Sequence, residues 1–314
     1  MNATSPARIP DSLRWGLLLA LATAAISGVS IFVNAFAVKQ LPDPALYTTL
    51  KNGVAGLVLV GLALVTVRPA RLQAVPARSW GWLAVVGVVG GSVPFLLFFT
   101  GLAQASAPSA AFIHKTLFVW VALLAVPFLG ERLGWAQLGA LAVLLVAQLL
   151  IVPPNGVTWG PGETMIAIAT LLWAVETIVA RRLLSTVPSA VVGAGRLGIG
   201  LVVLVGYLAV TGKLATVWTL SVEQWGLAIL TGLLLSGYVG TWFAALQRAP
   251  ASLVTAVLVL GAPVTATLQA LQNGTVPATP ALLGQALILV AGAILVVPTL
   301  RRWQAATVPV EATA

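Results

Sequence analysis

The sequence predicts an all-α integral membrane protein in which ten crossings form two five-helix halves of opposite orientation, with both termini cytoplasmic. Three observations carry this reading. First, 60% of the 314 residues are apolar and 7% are charged, with a mean hydropathy of +1.05, whereas soluble domains hold about a quarter charged residues. Second, long apolar stretches recur between Gly, Pro and charged punctuation, each near the about 20 residues a helix needs to cross a bilayer. Third, the chain repeats itself at an offset of 145 residues, with Lys51 lying over Arg196.

Residues 1–13 read as a cytoplasmic tail, and the first crossing as 14–37. Arg8 and Arg14 before it give the look of a secretory signal, but it is long for one and the repeat gives it a counterpart, so it is kept in the mature chain. Crossings follow at 44–67, 80–101, 107–129 and 134–152 and complete a first half, 14–152. Residues 153–160 form an extracytoplasmic connection. The second half, 161–299, crosses at 161–181, 188–210, 223–247, 251–272 and 280–299, and 300–314 is a second cytoplasmic tail. The stretch from Ala249 to Leu300 has no charge and is too long for one helix, so "QNGTVPATP" is its turn.

Orientation follows from the basic residues. With the N-terminus inside, the cytoplasmic segments hold Arg8, Arg14, Arg68, Arg71, Arg78, Arg132, Arg181, Arg182, Arg248, Arg301 and Arg302, against Lys39 and Lys213 outside. Trp15, Trp80, Trp82, Trp135, Trp159, Trp218, Trp225 and Trp303 fall near crossing ends, as an aromatic belt does.

In the repeat, "LKNGVAGLVLVGLALVT" from Leu50 matches "GRLGIGLVVLVGYLAVT" from Gly195, and Trp80-Gly81 matches Trp225-Gly226. Because each half has an odd number of crossings, the second enters the membrane from the other side. Inverted repeats of this kind build a site near the midplane of carriers.

Several function classes drop out. The net charge of +9 forms no stripe interleaved with exposed aromatics, so nucleic acid is not a partner. Without cysteine and with one histidine, thiolate and multi-histidine metal sites are excluded, and no cofactor is implied. A membrane-embedded enzyme at His114 and Lys115 would lack a metal set, a nucleophile with its base and a carboxylate pair.

The chain resembles the EamA-type family of the drug/metabolite transporter superfamily. The resemblance rests on "LLWAVETIVARRL", on "FAALQRAPASLVTAVLVLGAPVTATLQA" and on "FLGERLGWAQLGA", in this order over about residues 14 to 299. It implies an inner-membrane carrier of small metabolites, often an exporter of amino acids or drug-like compounds and commonly a proton exchanger, working as a monomer or homodimer. A passive channel and a carrier of cationic or multidrug compounds are the alternatives. In the second half "QNGTV" replaces "FLGER", so Glu131 has no acidic counterpart and is expected to cap a helix and pair with Arg132.

Lys51, Lys115, Arg196 and Glu176 fall inside crossings. Each costs roughly 2.5–3.5 kcal/mol on insertion scales, a cost that points to function or pairing. Glu176 and Arg196 lie at similar depth across one hairpin and are expected to pair, either pinning two helices or releasing Arg196 when Glu176 takes up a proton. Ser30 is the first-half counterpart of Glu176, so Lys51 has no carboxylate waiting, and Lys115 has none either. Both lysines either snorkel to the outer surface or face a watery cavity and attract a substrate anion. A helical wheel places Phe112, Lys115, Thr116 and Trp120 on a cavity-facing arc, with His114 at its edge as a core residue or a proton carrier. Trp173, Tyr238 and Trp242 complete the expected lining. "GGSVPFLLFF" and "SGYVGTWF" occupy matching places in crossings three and eight, where Gly, Pro and Ser either bend the helices or let them pack closely.

Overall fold

The computed structural model describes residues 11–105, 107–152 and 159–307. The first half comprises α1 (Asp11–Gln40), α2 (Pro44–Thr66), the short α3 (Pro69–Gln73), α4 (Ala77–Gly91), α5 (Val93–Leu102), α6 (Ala107–Lys115), α7 (Leu117–Leu129) and α8 (Trp135–Ile151). The second comprises α9 (Pro161–Leu183), α10 (Ser189–Val210), a 3₁₀ turn (Leu214–Thr219), α11 (Val222–Arg248), α12 (Ala251–Leu258), α13 (Gly261–Asn273) and α14 (Thr279–Thr307). Among the described residues nine segments are long and apolar enough to cross a membrane, α4–α5, α6–α7 and α12–α13 each counting as one. α8, with 17 residues, is shorter. Helix α14 runs into the stretch read from sequence as the tail from residue 300.

Local chemistry sets the helix ends. Asp43 accepts from the amides of Ala45 at 2.8 Å and Leu46 at 3.1 Å, and Pro44 occupies a position whose N–H would be unpaired in any case. Ser221 and Gln224 cap α11 reciprocally: Gln224 donates its amide to Ser221 Oγ at 3.2 Å, and Ser221 donates to Gln224 Oε1 at 2.9 Å. Gly130 (φ 68°) and Gly274 (φ 62°) end α7 and α13 in the left-handed region, where a side chain is strained. Trp15, Trp80, Trp82, Trp135, Trp159 and Trp218 are exposed, while Trp225 is half-buried. The Trp303 side chain and Arg8 lie outside what is described.

Packing shows the two-repeat design. α1 packs on α11 as α9 packs on α4 and α5; α1 packs on α13 as α9 packs on α7; α2 packs on α11 as α10 packs on α4. The pairs α2–α10 and α8–α14 map onto themselves when the halves are exchanged. Small residues allow the closest crossings. A Cβ on Gly91 would stand 1.9 Å from the Arg196 carbonyl oxygen, and one on Gly200 would stand 2.6 Å from that of Gly91.

Three apolar segments are broken, two of them where a proline lacks the N–H for a carbonyl four residues earlier, Pro94 for Gly90 and Pro263 for Val259. Between α4 and α5, Pro94 has no N–H for the Gly90 carbonyl, so the helix opens at Ser92. The freed acceptors find side chains: Trp173 Nε1 donates to Gly90 O at 3.1 Å and Asn52 Nδ2 to Gly91 O at 3.1 Å. The matching crossing, α11, is not bent. It contains no proline, and its Gly232, ahead of "SGYVGTWF", gives room to Val54. Breaks fall at Thr116 and at Val259–Leu260, which hold corresponding places in the two halves and were expected to lie inside continuous helices. Each is a turn of three-residue hydrogen bonds, as from Val119 N to Thr116 O at 2.9 Å and from Leu260 N to Val257 O at 3.0 Å.

Candidate functional site

Lys51, Lys115, Glu176 and Arg196 line one cavity of about 320 Å³ between the halves. α1 and α13 wall one side of it, α5, α6 and α9 the other, and α2, α10 and α11 supply the rest. Its mouth lies where α1 ends and α6 begins, beside exposed Ala35, Ala111 and Gln269. A second hollow, of about 360 Å³ between Thr66, Arg68, Arg71 and Pro188, lies at a helix-end turn and is lined by none of the intramembrane charges.

Lys51, 3% exposed, is held by Asn34 and by rings. Its ammonium donates to Asn34 Oδ1 at 3.2 Å and lies 4.3 Å from the ring centroid of Phe99, 5.1 Å from that of Tyr47 and 5.4 Å from that of Phe95. Asn34 also accepts from the Tyr47 hydroxyl and donates to Ser30 Oγ at 2.9 Å. Ser30 therefore lines the cavity as a support of the Asn34–Lys51 group. Among the described residues no carboxylate pairs with Lys51 or Lys115.

Glu176 and Arg196 come together at the cavity's deep end, 3.4 Å from Oε1 to Nε and 2% and 5% exposed in their side chains. The contact is an ion pair without a hydrogen bond: Glu176 Oε1 and Arg196 Nε and Nη1 are buried and have no hydrogen-bond partner among the described residues. Arg196 lies 5.6 Å from the Phe95 ring and 5.8 Å from the Phe243 ring. Gly90 makes room for the pair, because a Cβ there would stand 2.4 Å from Glu176 Cγ.

An aromatic wall joins these groups. His114 packs 5.0 Å from Phe98 and 5.2 Å from Trp173, and Phe95 meets Trp173 edge-on at 5.3 Å. Opposite them Tyr238 and Trp242 stack with centroids 6.0 Å apart and planes 9° apart. His114 Nδ1 is buried without a hydrogen-bond partner among the described residues.

Of the residues singled out from sequence, Ser30, Lys51, His114, Lys115, Trp173, Glu176, Arg196, Tyr238 and Trp242 line the cavity. Phe112, Thr116 and Trp120 do not. Phe112 packs with Ala110, Ile113 and Ile166. Thr116 Oγ1 turns back to Ile113 O at 2.6 Å and accepts from Trp120 Nε1 at 3.0 Å, leaving Trp120 39% exposed on the outer surface. The break at Thr116 resets the angular phase beyond it and carries Trp120 out of the arc, while within α6 the cavity takes both His114 and Lys115 and leaves Phe112 packed toward Ile166 of α9. Asn34 and the rings of Phe95, Phe98 and Phe99 were missed; an asparagine inside "IFVNAF" was the one signal for the first.

Glu131 caps a helix as expected, but its partner differs. It does not pair with Arg132 but accepts from Ala251 N at 2.5 Å, Ser252 N at 3.1 Å and Ser252 Oγ at 2.5 Å, at the start of α12. Near it, Arg182 donates to the carbonyl of Phe128 and Gln247 Nε2 to that of Leu184 at 3.2 Å. These contacts close the end of the bundle opposite the cavity's mouth.

No three His, Asp or Glu side chains gather as a metal site among the described residues. Chemically, the arrangement is a half-open, ring-lined chamber holding three cationic side chains to one carboxylate. The model of the EamA-like transporter family matches residues 14–152 and again residues 160–297. No curated protein matches. A solved crystal structure, described only as that of a protein, aligns with a TM-score of 0.74 at 18% identity, covering 91% of this chain and 98% of the other. At that identity the likeness concerns the fold.

Proposed function

This chain belongs to the EamA-like transporter family, and from that premise we propose that it is a secondary carrier of a small carboxylate-bearing metabolite, such as an amino acid, with an apolar, ring-sized remainder. Ten crossings in two inverted halves, with both termini cytoplasmic in the plasma (inner) membrane, are the frame of this reading. The observation that carries it is the cavity: Lys51, Lys115 and Arg196 against Glu176, enclosed by Phe95, Phe98, Trp173, Tyr238 and Trp242. An anion entering it approaches an excess of positive charge between buried walls, where charge attraction is stronger than in bulk water. Its apolar part lies on the rings.

Alternating access follows from an asymmetry between the ends. α7 packs on α12, whereas α6 and α13, which replace them when the halves are exchanged, stand apart as walls of the mouth. Closing the second pair and opening the first turns the cavity to the other side. Proton coupling rests on Glu176: a proton on its carboxyl removes the attraction to Arg196 and leaves the guanidinium to a substrate carboxylate. Departure of that proton on the opposite side restores the pair.

Counterflow in proteoliposomes separates a carrier from a channel. Preloaded unlabelled carboxylate accelerates uptake of labelled substrate through a carrier, and passive, non-saturable entry without acceleration rejects the reading. Within the same assay, Lys115→Met should keep the protein folded and weaken carboxylate binding by about 1.5–3 kcal/mol, the range for a charge-assisted hydrogen bond. Unchanged affinity would remove Lys115 from the site.

A further inference from the structure

The two gates are built from corresponding parts but only one is fastened. At the closed end α7 stops at Gly130 in the left-handed conformation (φ 68°), which turns the chain so that Glu131 reaches across to α12. Pro250 precedes that helix and has no N–H, so the first free amides are those of Ala251 and Ser252, and Glu131 takes both. Its negative charge also faces the positive end of the helix dipole. At the open end α13 stops at Gly274 in the same conformation (φ 62°), but the next residue is exposed Thr275, and α6 is not packed on α13.

We infer that Glu131 is the latch of the closed gate, a positioning residue that holds α7 to α12 and thereby biases the resting carrier toward the conformation whose cavity opens between α6 and α13. Moving α12 away from α7 breaks three hydrogen bonds that water replaces only in part. The reverse movement at the other end meets no such resistance. Glu131 touches no substrate; it acts on the populations of two conformations, and a carrier whose populations are shifted changes which side loads first. This inference rests on the alternating-access reading, which counterflow in the unmodified protein tests separately.

The chain has no cysteine, so single introduced thiols report each gate without background. Thr255→Cys lies one turn into α12 at a site 2% exposed, and Ala35→Cys lies at the mouth of the cavity. In full-length protein in proteoliposomes, with a small water-soluble maleimide on both sides, Glu131→Ala should speed labelling at position 255 about tenfold, the effect of about 1.4 kcal/mol, and slow labelling at position 35. A cap of purely structural importance would speed both, and that result, or no change at either site, overturns the inference. Thr275→Glu, on an exposed position, guards against loss of fold in Glu131→Ala. It installs a carboxylate at the other gate and should slow labelling at position 35 severalfold while leaving thermal stability unchanged; equal or faster labelling also overturns the inference.

Discussion

Lys51 and Arg196 occupy matching places in the repeat, yet their surroundings answer a buried positive charge in two different ways. Lys51 has a hydrogen bond to Asn34 and three rings around it, whereas Arg196 has the charge of Glu176 without a hydrogen bond to it and two rings. Only the second has a carboxylate partner. Breaking a buried ion pair by removing one member costs about 3–5 kcal/mol, because the other charge is left uncompensated. Glu176→Gln and Arg196→Gln should therefore each lower the melting temperature markedly. The double variant should lose less than the sum of the singles, and strictly additive losses would show that the two groups do not interact. Sequence reasoning found both members from depth and charge alone. Asn34 escaped it because a neutral amide carries no charge to count, and its role comes from neighbours 13 and 17 residues away in the chain.

At the level of the helices, apolar segments were legible and their breaks were not. Hydropathy averages over a window of about 19 residues and does not register one turn of changed hydrogen bonding. Pro94 and Pro263 were readable as breaks, but Thr116 has no proline four residues on, and the turn there carries Trp120 away from the cavity that His114 and Lys115 line. The α1–α2 turn gives a measurable case of helix-end chemistry. Asp43 caps α2 and binds Lys213 at 2.5 Å, joining the two halves outside the apolar segments. Burial by itself would raise the Asp43 carboxyl, but the Lys213 ammonium and the amides of Leu46 and Ala45 outweigh it and hold the group below the usual carboxylate range. The hydrogen bond to Asp43 likewise raises Lys213. A carboxyl lowered in the folded state stabilises fully above its unfolded value of about 3.9 and loses that contribution as pH falls through the folded value. The lysine's share is complete below about 10.4 and fades only above it. Asp43→Ala should thus cost about 1 kcal/mol at neutral pH, the worth of a typical N-cap, with a smaller difference from wild type in acid below about pH 4, as read by thermal melting across pH. A constant difference down to pH 2 would mean that the carboxylate's charge contributes nothing.

For the whole molecule, the main helix pairs follow a rule of exchange between the two halves, and the gates depart from it. α7–α12 is shut and α6–α13 is not. A flexible dithiol-reactive bridge between Ala111→Cys and Gln269→Cys, on opposite lips of the mouth, should hold the lips together and stop transport, while each single variant treated alike remains active. Undiminished transport by the bridged protein would show that the lips do not need to part. What the sequence by itself determined is what depends on composition and on order along the chain: membrane residence, the apolar segments, the duplicated halves, and the charges too costly to bury without purpose. Which residues share one cavity, which gate is closed, and that Glu131 binds α12 rather than Arg132 were decided only by the tertiary structure. The physical reason is that hydropathy and insertion cost are properties of single residues and short windows, whereas a hydrogen bond from Ala251 to Glu131 or a ring box around Lys51 exists only once helices distant in sequence are packed side by side.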